Sequence, residues 1–158
     1  MAISRVREIE EQTAEEPWWR VPARAPGCAA RTILVVDDEP LVLAFTSEVL
    51  GCEGYVVLEA AGTSEGLRIA AALPGPIDLV ISDVVMPYGD DGRDLVERLR
   101  RMRPAIKALF ISGHTEAHVA RGGALGSAAF LQKPFTMAML VEKVSAVLDA
   151  AEAPIARV

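Results

Sequence analysis

The stretch TILVVDDEP, residues 32–40, decides how this chain folds. Its first five residues are apolar or β-branched, a pattern typical of a strand buried in a parallel sheet. Three acids follow at once, and a segment of helical length begins at Pro40. The stretch therefore predicts a buried strand, an acidic loop and a helix, in that order.

The same order recurs along the chain. Apolar runs of similar composition follow at YVVLEA (55–60), IDLVIS (77–82), IKALFIS (106–112) and AAFLQ (128–132). Segments of helical length lie at 40–52, 64–73, 92–102, 116–121 and 136–150. Five strand–helix units predict an α/β domain with right-handed crossovers, in which helices cover both faces of a parallel sheet. The fourth helix is expected to be short or displaced, because glycine is frequent around it and is costly inside a helix.

Length and composition allow one such domain with tails, because 158 residues that are 51% hydrophobic can bury a single sizeable core. We expect an N-terminal extension at 1–30, the domain at 31–150 and a C-terminal tail at 151–158. The extension begins with charged residues that could include a short helix and continues as a linker, PWWRVPARAPG, whose prolines do not fit inside regular elements. Trp18 and Trp19 are large apolar groups that usually find cover, on this domain, a second copy or a partner.

Charge, hydropathy and cysteine usage exclude several classes of function. A net charge of −6 and a pI near 5.0 argue against a surface that neutralises nucleic-acid phosphates. No apolar run approaches the roughly 20 residues that span a bilayer, and the first residues lack the apolar centre of a secretion signal. Cys28 and Cys52 have neither metal-ligand spacing nor a disulfide framework. We expect a soluble, cytoplasmic protein that binds neither nucleic acid nor membrane.

Polar residues of several kinds follow the predicted strands. In an open parallel sheet, ligands bind beyond the carboxyl ends of the strands, so residues at these positions gather at one edge. They are Asp37, Asp38 and Glu39 after the first strand, Asp83 after the third, Ser112 after the fourth, and Lys133 with Pro134 after the fifth.

Carboxylates gathered in this way need a cation, and hard oxygen ligands suit Mg²⁺ or Mn²⁺. With a metal bound, a carboxylate can attack phosphorus while the metal and an ammonium neutralise the phosphoryl oxygens. Asp83, Lys133 and Ser112 suit the roles of nucleophile, ammonium and hydroxyl.

Simpler structural roles compete for the same residues. The acids at 37–39 could merely cap the first helix, but the presence of Asp83 and Lys133 favours a metal site. Asp90 and Asp91 are expected to cap the third helix. Arginines of that helix, including Arg98 and Arg103, are expected on solvated faces and ends. The first helix is apolar almost all round, so its exposed part could dock a partner helix or be covered by the N-terminal extension.

Four motifs in this order resemble the response-regulator receiver family of two-component systems. They are VVDDEP (35–40), ISDVVMP (81–87), ISG (111–113) and FLQKPF (130–135), each at the end of a predicted strand. The resemblance covers about residues 31–150 and implies a flavodoxin-like sheet with strand order 2-1-3-4-5. It is closest to receivers of hybrid histidine kinases, because the loop YGDD (88–91) is one residue longer than the commonest receiver pattern.

The resemblance also implies roles for site residues. Asp83 would be the phosphoacceptor. Mg²⁺ would be held directly by Asp38, through water by Asp37, and by the backbone carbonyl of Val85. Ser112 and Lys133 would each bind a phosphoryl oxygen.

By the same resemblance, Phe130 would be the aromatic switch residue. The peptide bond from Lys133 to Pro134 would be cis, as it is in the family.

The expected function is a single-domain response regulator in a Mg²⁺-dependent phosphorelay. It would take its phosphoryl group from a histidine kinase or a histidine phosphotransfer protein, and act by contact with a downstream protein or by self-dimerisation. A phosphate sink, or a detached hybrid-kinase receiver without its own output, is the alternative. An aspartyl-phosphate phosphatase fits less well, because it needs an acid two residues after its nucleophile, where Val85 and Pro40 stand after Asp83 and Asp38.

Overall fold

A parallel five-stranded sheet forms the centre of the computed structural model, which describes residues 30–113 and 128–150, apart from the side chain of Tyr88. The strands are β1 (Thr32–Val36), β2 (Val56–Ala60), β3 (Leu79–Asp83), β4 (Lys107–Ser112) and β5 (Ala129–Gln132). Their order is β2-β1-β3-β4-β5, and every neighbouring pair is parallel. The predicted fold class and strand order are confirmed.

Helices follow the strands at the described positions. They are α1 (Pro40–Cys52), α2 (Thr63–Ala72), α3 (Gly92–Met102) and α4 (Met137–Asp149), with a 3-10 turn at Pro87–Gly89. Each of these four α-helices begins and ends within a residue or two of the predicted position. The predicted helix at 116–121, the extension at 1–29 with its Trp pair, and the tail at 151–158 lie outside the described residues.

Two apolar clusters lie on opposite faces of the sheet. On β1, Leu34 and Val36 belong to one cluster, and Ile33 and Val35 belong to the other, as expected when successive side chains point to opposite faces. Buried residues of α2 and α3 complete the first cluster, and those of α1 and α4 complete the second. The central strands are therefore covered on both sides, and their ends are left for polar groups.

The edge where the strands begin is held by two cations. Arg103 donates hydrogen bonds to the carbonyls of Ala70, Leu73 and Gly75 at the end of α2, at 2.6–3.1 Å. Lys107 donates to the carbonyls of Leu148 and Ala150 at the end of α4. The expectation that Arg103 lies on a solvated helix end is therefore wrong, since it satisfies carbonyls that a helix end leaves without partners.

Candidate active site

Three carboxylates meet where β1 and β3 end. Asp37 follows the last residue of β1, and Asp83 is the last residue of β3; the two strands are neighbours, with Val36 opposite Ser82. Carboxylate oxygens of Asp37, Glu39 and Asp83 all lie within 4.8 Å of one another. Asp37 and Asp83 are 3% and 8% exposed, so two of these charges are almost removed from solvent.

Lys133 brings an ammonium into this group of acids. It follows β5, where its backbone N–H donates to the carbonyl of Ser112 at 2.9 Å, and the Lys133–Pro134 peptide bond is cis. Its Nζ lies 3.0 Å from Asp83 Oδ2 and 3.2 Å from both Asp37 Oδ2 and Glu39 Oε1. One positive charge thus faces three negative ones, which leaves the group with an excess of negative charge.

Burial and ion pairing shift the pKa of each of these groups in opposite directions. Burial raises the pKa of Asp37 above its usual value, although the backbone N–H of Glu39 and the Lys133 ammonium partly oppose this shift. Burial alone would lower the pKa of Lys133, but hydrogen bonds and charges from Asp83, Asp37 and Glu39 outweigh it and raise that pKa. Lys133 is therefore held as a cation, while the ionised form of Asp37 is disfavoured.

The donor set suits a hard divalent cation. Carboxylate oxygens are the ligands that Mg²⁺ and Mn²⁺ prefer, and a second cation would neutralise the charge that Lys133 leaves uncompensated. Among the described residues, the group that could hold such an ion contains Glu39 rather than Asp38, which is half-buried beside it. The direct and water-mediated roles given to Asp38 and Asp37 remain predictions, and Glu39 is added to the candidate site.

Asp83 is held through both of its oxygens. Oδ2 accepts from Lys133, and Oδ1 accepts from the backbone N–H of Val85 at 3.1 Å. The carbonyl of Asp83 also accepts a hydrogen bond from the Ser82 hydroxyl at 2.8 Å. These contacts fix the position of the carboxylate at the end of its strand.

The remaining predicted residues lie on the two strands beyond β3. Ser112 is the last residue of β4 and is 1% exposed. Phe130, on β5, pairs with Phe110 in the sheet and packs as a half-buried ring against the cluster of α2 and α3. Both positions follow from the strand boundaries, whereas their predicted roles concern a phosphorylated state.

The long loop after Asp83 folds back on itself. The Met86 N–H donates to the Asp90 carbonyl at 3.2 Å, and Gly89 adopts a φ of 82°, which favours glycine. Asp91 caps α3, as predicted, by accepting from the Arg93 N–H. Asp90 does not cap that helix: its Oδ2 accepts from the Thr63 N–H at the start of α2. Asp90 therefore ties the loop to the neighbouring helix.

Helix α3 begins in close contact with the end of β3. The Gly92 N–H donates to the Val84 carbonyl at 3.0 Å. A Cβ added at Gly92 would lie 1.9 Å from the Asp83 carbonyl oxygen and 2.7 Å from Ser82 Oγ, distances that atoms do not adopt. Glycine at this position is thus a requirement of the backbone that carries Asp83.

The sheet order defines the class of this molecule: it is a flavodoxin-like doubly wound domain, and its candidate site of acids and a lysine lies where the winding changes direction. Residues 33–145 match the family model of the response regulator receiver domain. The chain belongs to the response regulator receiver family.

Relatives of two kinds are similar to this chain. It is 41% identical to the sensor kinase CckA of Brucella abortus over 119 residues, which are 75% of this chain but 12% of that kinase. The crystal structure of the receiver domain of the hybrid histidine kinase CckA has a TM-score of 0.63 at 38% identity, covering 74% of this chain and 98% of that domain.

The chemotaxis protein CheY of Treponema pallidum is 31% identical over 132 residues, which are 82% of this chain and 91% of CheY. The chain thus spans only a small part of the kinase but nearly all of a small receiver. No helix in the described parts of the chain has the length and apolar character needed to cross a membrane.

Proposed function

We propose that this chain accepts a phosphoryl group on Asp83 from a phosphohistidine of a histidine kinase or phosphotransfer protein. The observation that carries the proposal is the buried Asp83 carboxylate, bonded to Lys133 and adjoining two further acids. Membership of the receiver family supports it. The chain would then be a signalling switch that catalyses only its own phosphorylation and dephosphorylation.

In the transfer, the bond between phosphorus and the donor imidazole nitrogen breaks, and a bond from phosphorus to a carboxylate oxygen of Asp83 forms. The leaving imidazole takes up a proton. A bound Mg²⁺ ion, held by carboxylates at 37–39 and 83 and by the Val85 carbonyl, would supply positive charge to the phosphoryl oxygens. Lys133 would give up part of its contact with Asp83 to bind one of these oxygens, and the Ser112 hydroxyl would bind another.

Signal output follows from these contacts. When the Ser112 hydroxyl binds the phosphoryl group, it moves toward Asp83, and Phe130 on the adjacent strand fills the space that this movement leaves. The surface around β5 and α4 then changes, and a downstream protein or a second copy of the chain binds it. Output of this kind requires only that another protein, or a second copy of the chain, binds the changed surface.

A second candidate is a receiver that drains phosphoryl groups from a kinase, or that serves a kinase in trans, without its own output. The similarity to hybrid-kinase receivers favours it. Both candidates need the same chemistry at Asp83, and they differ in whether phosphorylation creates a new binding surface. Comparing the oligomeric state of the phosphorylated and unphosphorylated forms distinguishes self-dimerisation from a pure sink.

The chemistry is tested with phosphoramidate, whose phosphorus–nitrogen bond resembles that of phosphohistidine. Intact mass should show a single phosphoryl adduct that requires Mg²⁺ or Mn²⁺ and is abolished in Asp83→Asn. The matched control is Asp78→Asn, because Asp78 lies at the opposite end of β3, where its carboxylate accepts from the Thr32 N–H. A wild-type chain that takes up no phosphoryl group under these conditions would refute the proposal.

A further inference from the structure

Exposed apolar side chains collect at one end of α1. Large hydrophobic residues are exposed at six described positions: Leu41, Phe45, Val85, Met102, Met137 and Met139. Leu41 and Phe45 are 85% and 40% exposed and lie one turn apart on the same side of α1. The Phe45 ring lies 6.1 Å from that of Phe135, just before α4. We call Leu41, Phe45 and Phe135 the apolar patch.

The apolar patch borders the active site through two short connections. Leu41 comes two residues after Glu39, and Phe135 comes two residues after Lys133. Glu39 and Lys133 are joined by a hydrogen bond of 3.2 Å, so the two parts of the patch are anchored to the same ion pair. Any group that covers the patch therefore lies beside the acids around Asp83.

We propose that Trp18 and Trp19 of the N-terminal extension cover this patch. Two adjacent indoles are the largest apolar side chains of the sequence, and large aromatic groups gain most from leaving water. Contact between the apolar patch and the Trp pair of the same chain would remove apolar surface of both from water. The occupant is thus part of the molecule itself.

The length of the connecting segment allows this contact. Trp19 lies 12 positions before Arg31, the residue that precedes β1, and an extended segment of that length spans about 40 Å. The route to the patch runs along β1, whose five residues span about 17 Å, and then reaches the first turns of α1.

The covalent link makes a modest contact sufficient. A segment tied to its binding surface by a short linker is present at an effective concentration in the millimolar range.

Tryptophan fluorescence tests the proposal directly in the chain of residues 1–158. Trp18 and Trp19 are its only tryptophans, so the emission reports on the extension alone. We expect emission that is blue-shifted relative to free tryptophan and protected from acrylamide, and we expect both effects to be lost in Leu41→Ser/Phe45→Ser. The matched control is Met102→Ser, which removes an exposed apolar side chain at the end of α3 and should change neither effect.

Three outcomes would overturn the proposal. They are solvent-like emission in the wild-type chain, a blue shift that survives Leu41→Ser/Phe45→Ser, and a blue shift that disappears on dilution, which would assign the contact to a second copy. Circular dichroism and phosphoramidate uptake by the double variant establish that its fold and site are intact. Because uptake at Asp83 is measured separately, failure of this proposal is distinguishable from failure of the proposed function.

Discussion

The two ends of the sheet use their cations for different purposes. Where the strands begin, Arg103 and Lys107 donate to five main-chain carbonyls that the ends of α2 and α4 leave available. Where the strands end, Lys133 donates to three carboxylates, two of them buried. At the first end, each cation satisfies the hydrogen-bonding capacity of carbonyls at the end of a helix. At the second end, one cation cannot neutralise three carboxylates, so negative charge remains for a metal ion to neutralise.

This difference separates stability from chemistry. Hydrogen bonds that satisfy helix carbonyls contribute to folding at all times. Several acids held together oppose folding until a metal ion neutralises part of their charge, and residues that serve function are commonly unfavourable for stability in this way. Variants at the beginning of the strands should therefore change unfolding, and variants at their ends should change phosphoryl uptake.

Lys133→Met should produce the largest effect. Loss of a positioned positive charge at the phosphoryl oxygens should slow uptake from phosphoramidate about 100- to 1000-fold. Mg²⁺ binding, followed by calorimetry, should persist, because all the carboxylates remain. Lys107→Met is the matched control: it should retain uptake and lose about 1 kcal/mol of unfolding free energy. Equal rates of uptake in the two variants would contradict the division between the two ends.

Gly92→Ala should show that one residue beside the carboxyl ends of the strands is required for stability. A methyl group there would clash with the Asp83 carbonyl, so α3 must shift away from β3. We expect a loss of about 3 kcal/mol in unfolding free energy by urea denaturation.

The control for this variant is Gly51→Ala in α1, where an added Cβ would meet no atom within 4 Å apart from its chain neighbours and the backbone of its own helix. Alanine is the better helix former, so this variant should gain about 0.5–1 kcal/mol. A Gly92→Ala domain as stable as the wild type would show that the contact at Asp83 can relax.

Arg103→Met should cost about 2 kcal/mol, because the carbonyls of Ala70, Leu73 and Gly75 lose a charged donor. Arg103→Lys should recover only part of this, since one ammonium cannot reproduce the fork of a guanidinium. Arg98→Met, which removes an exposed partner of Asp94, should change stability by less than about 0.5 kcal/mol. Phosphoryl uptake should be the same in all three variants, and a slower uptake in Arg103→Met would link the two ends.

Much of the fold could be read from the sequence because its signals are local. Five apolar runs separated by helical segments determine a parallel α/β sheet, and the ends of the runs locate Asp37, Asp83, Ser112 and Lys133 at one edge. The strand order was not local information. It came from the resemblance carried by the motifs at these strand ends, and the sheet confirms it.

Contacts between distant segments could not be predicted in this way. Arg103 looked like one of several arginines on a solvated helix, because nothing nearby in the sequence indicates that the end of α2 lies within its reach. Asp90 and Asp91 looked equivalent, yet one caps α3 and the other caps α2 across 27 positions of sequence. Glu39 was treated as the neighbour of an acidic pair, and only its contact with Lys133 brings it into the site.

Asp37→Asn should give the smallest effect and one of opposite sign. Because the pKa of Asp37 is raised in the folded state, the native protein binds its proton more tightly than the unfolded chain does. Stability from this group is therefore lost as pH rises from about 3.8 through the raised pKa, and the ionised carboxylate costs stability at neutral pH. Without metal, Asp37→Asn should be more stable than the wild type at pH 7 by about 0.5–2 kcal/mol.

That gain should shrink as the pH falls toward 4, because the wild-type carboxyl becomes neutral as well. Added Mg²⁺ should also reduce it, by stabilising the wild-type chain more than the variant. The control is Asp149→Asn, an exposed partner of Arg31, whose effect should stay within about 0.5 kcal/mol at every pH. The prediction fails if the difference in unfolding free energy between Asp37→Asn and the wild type is the same at every pH from 4 to 8. In that case ionisation of the buried acid does not oppose folding, and the contrast between the two ends loses its energetic basis.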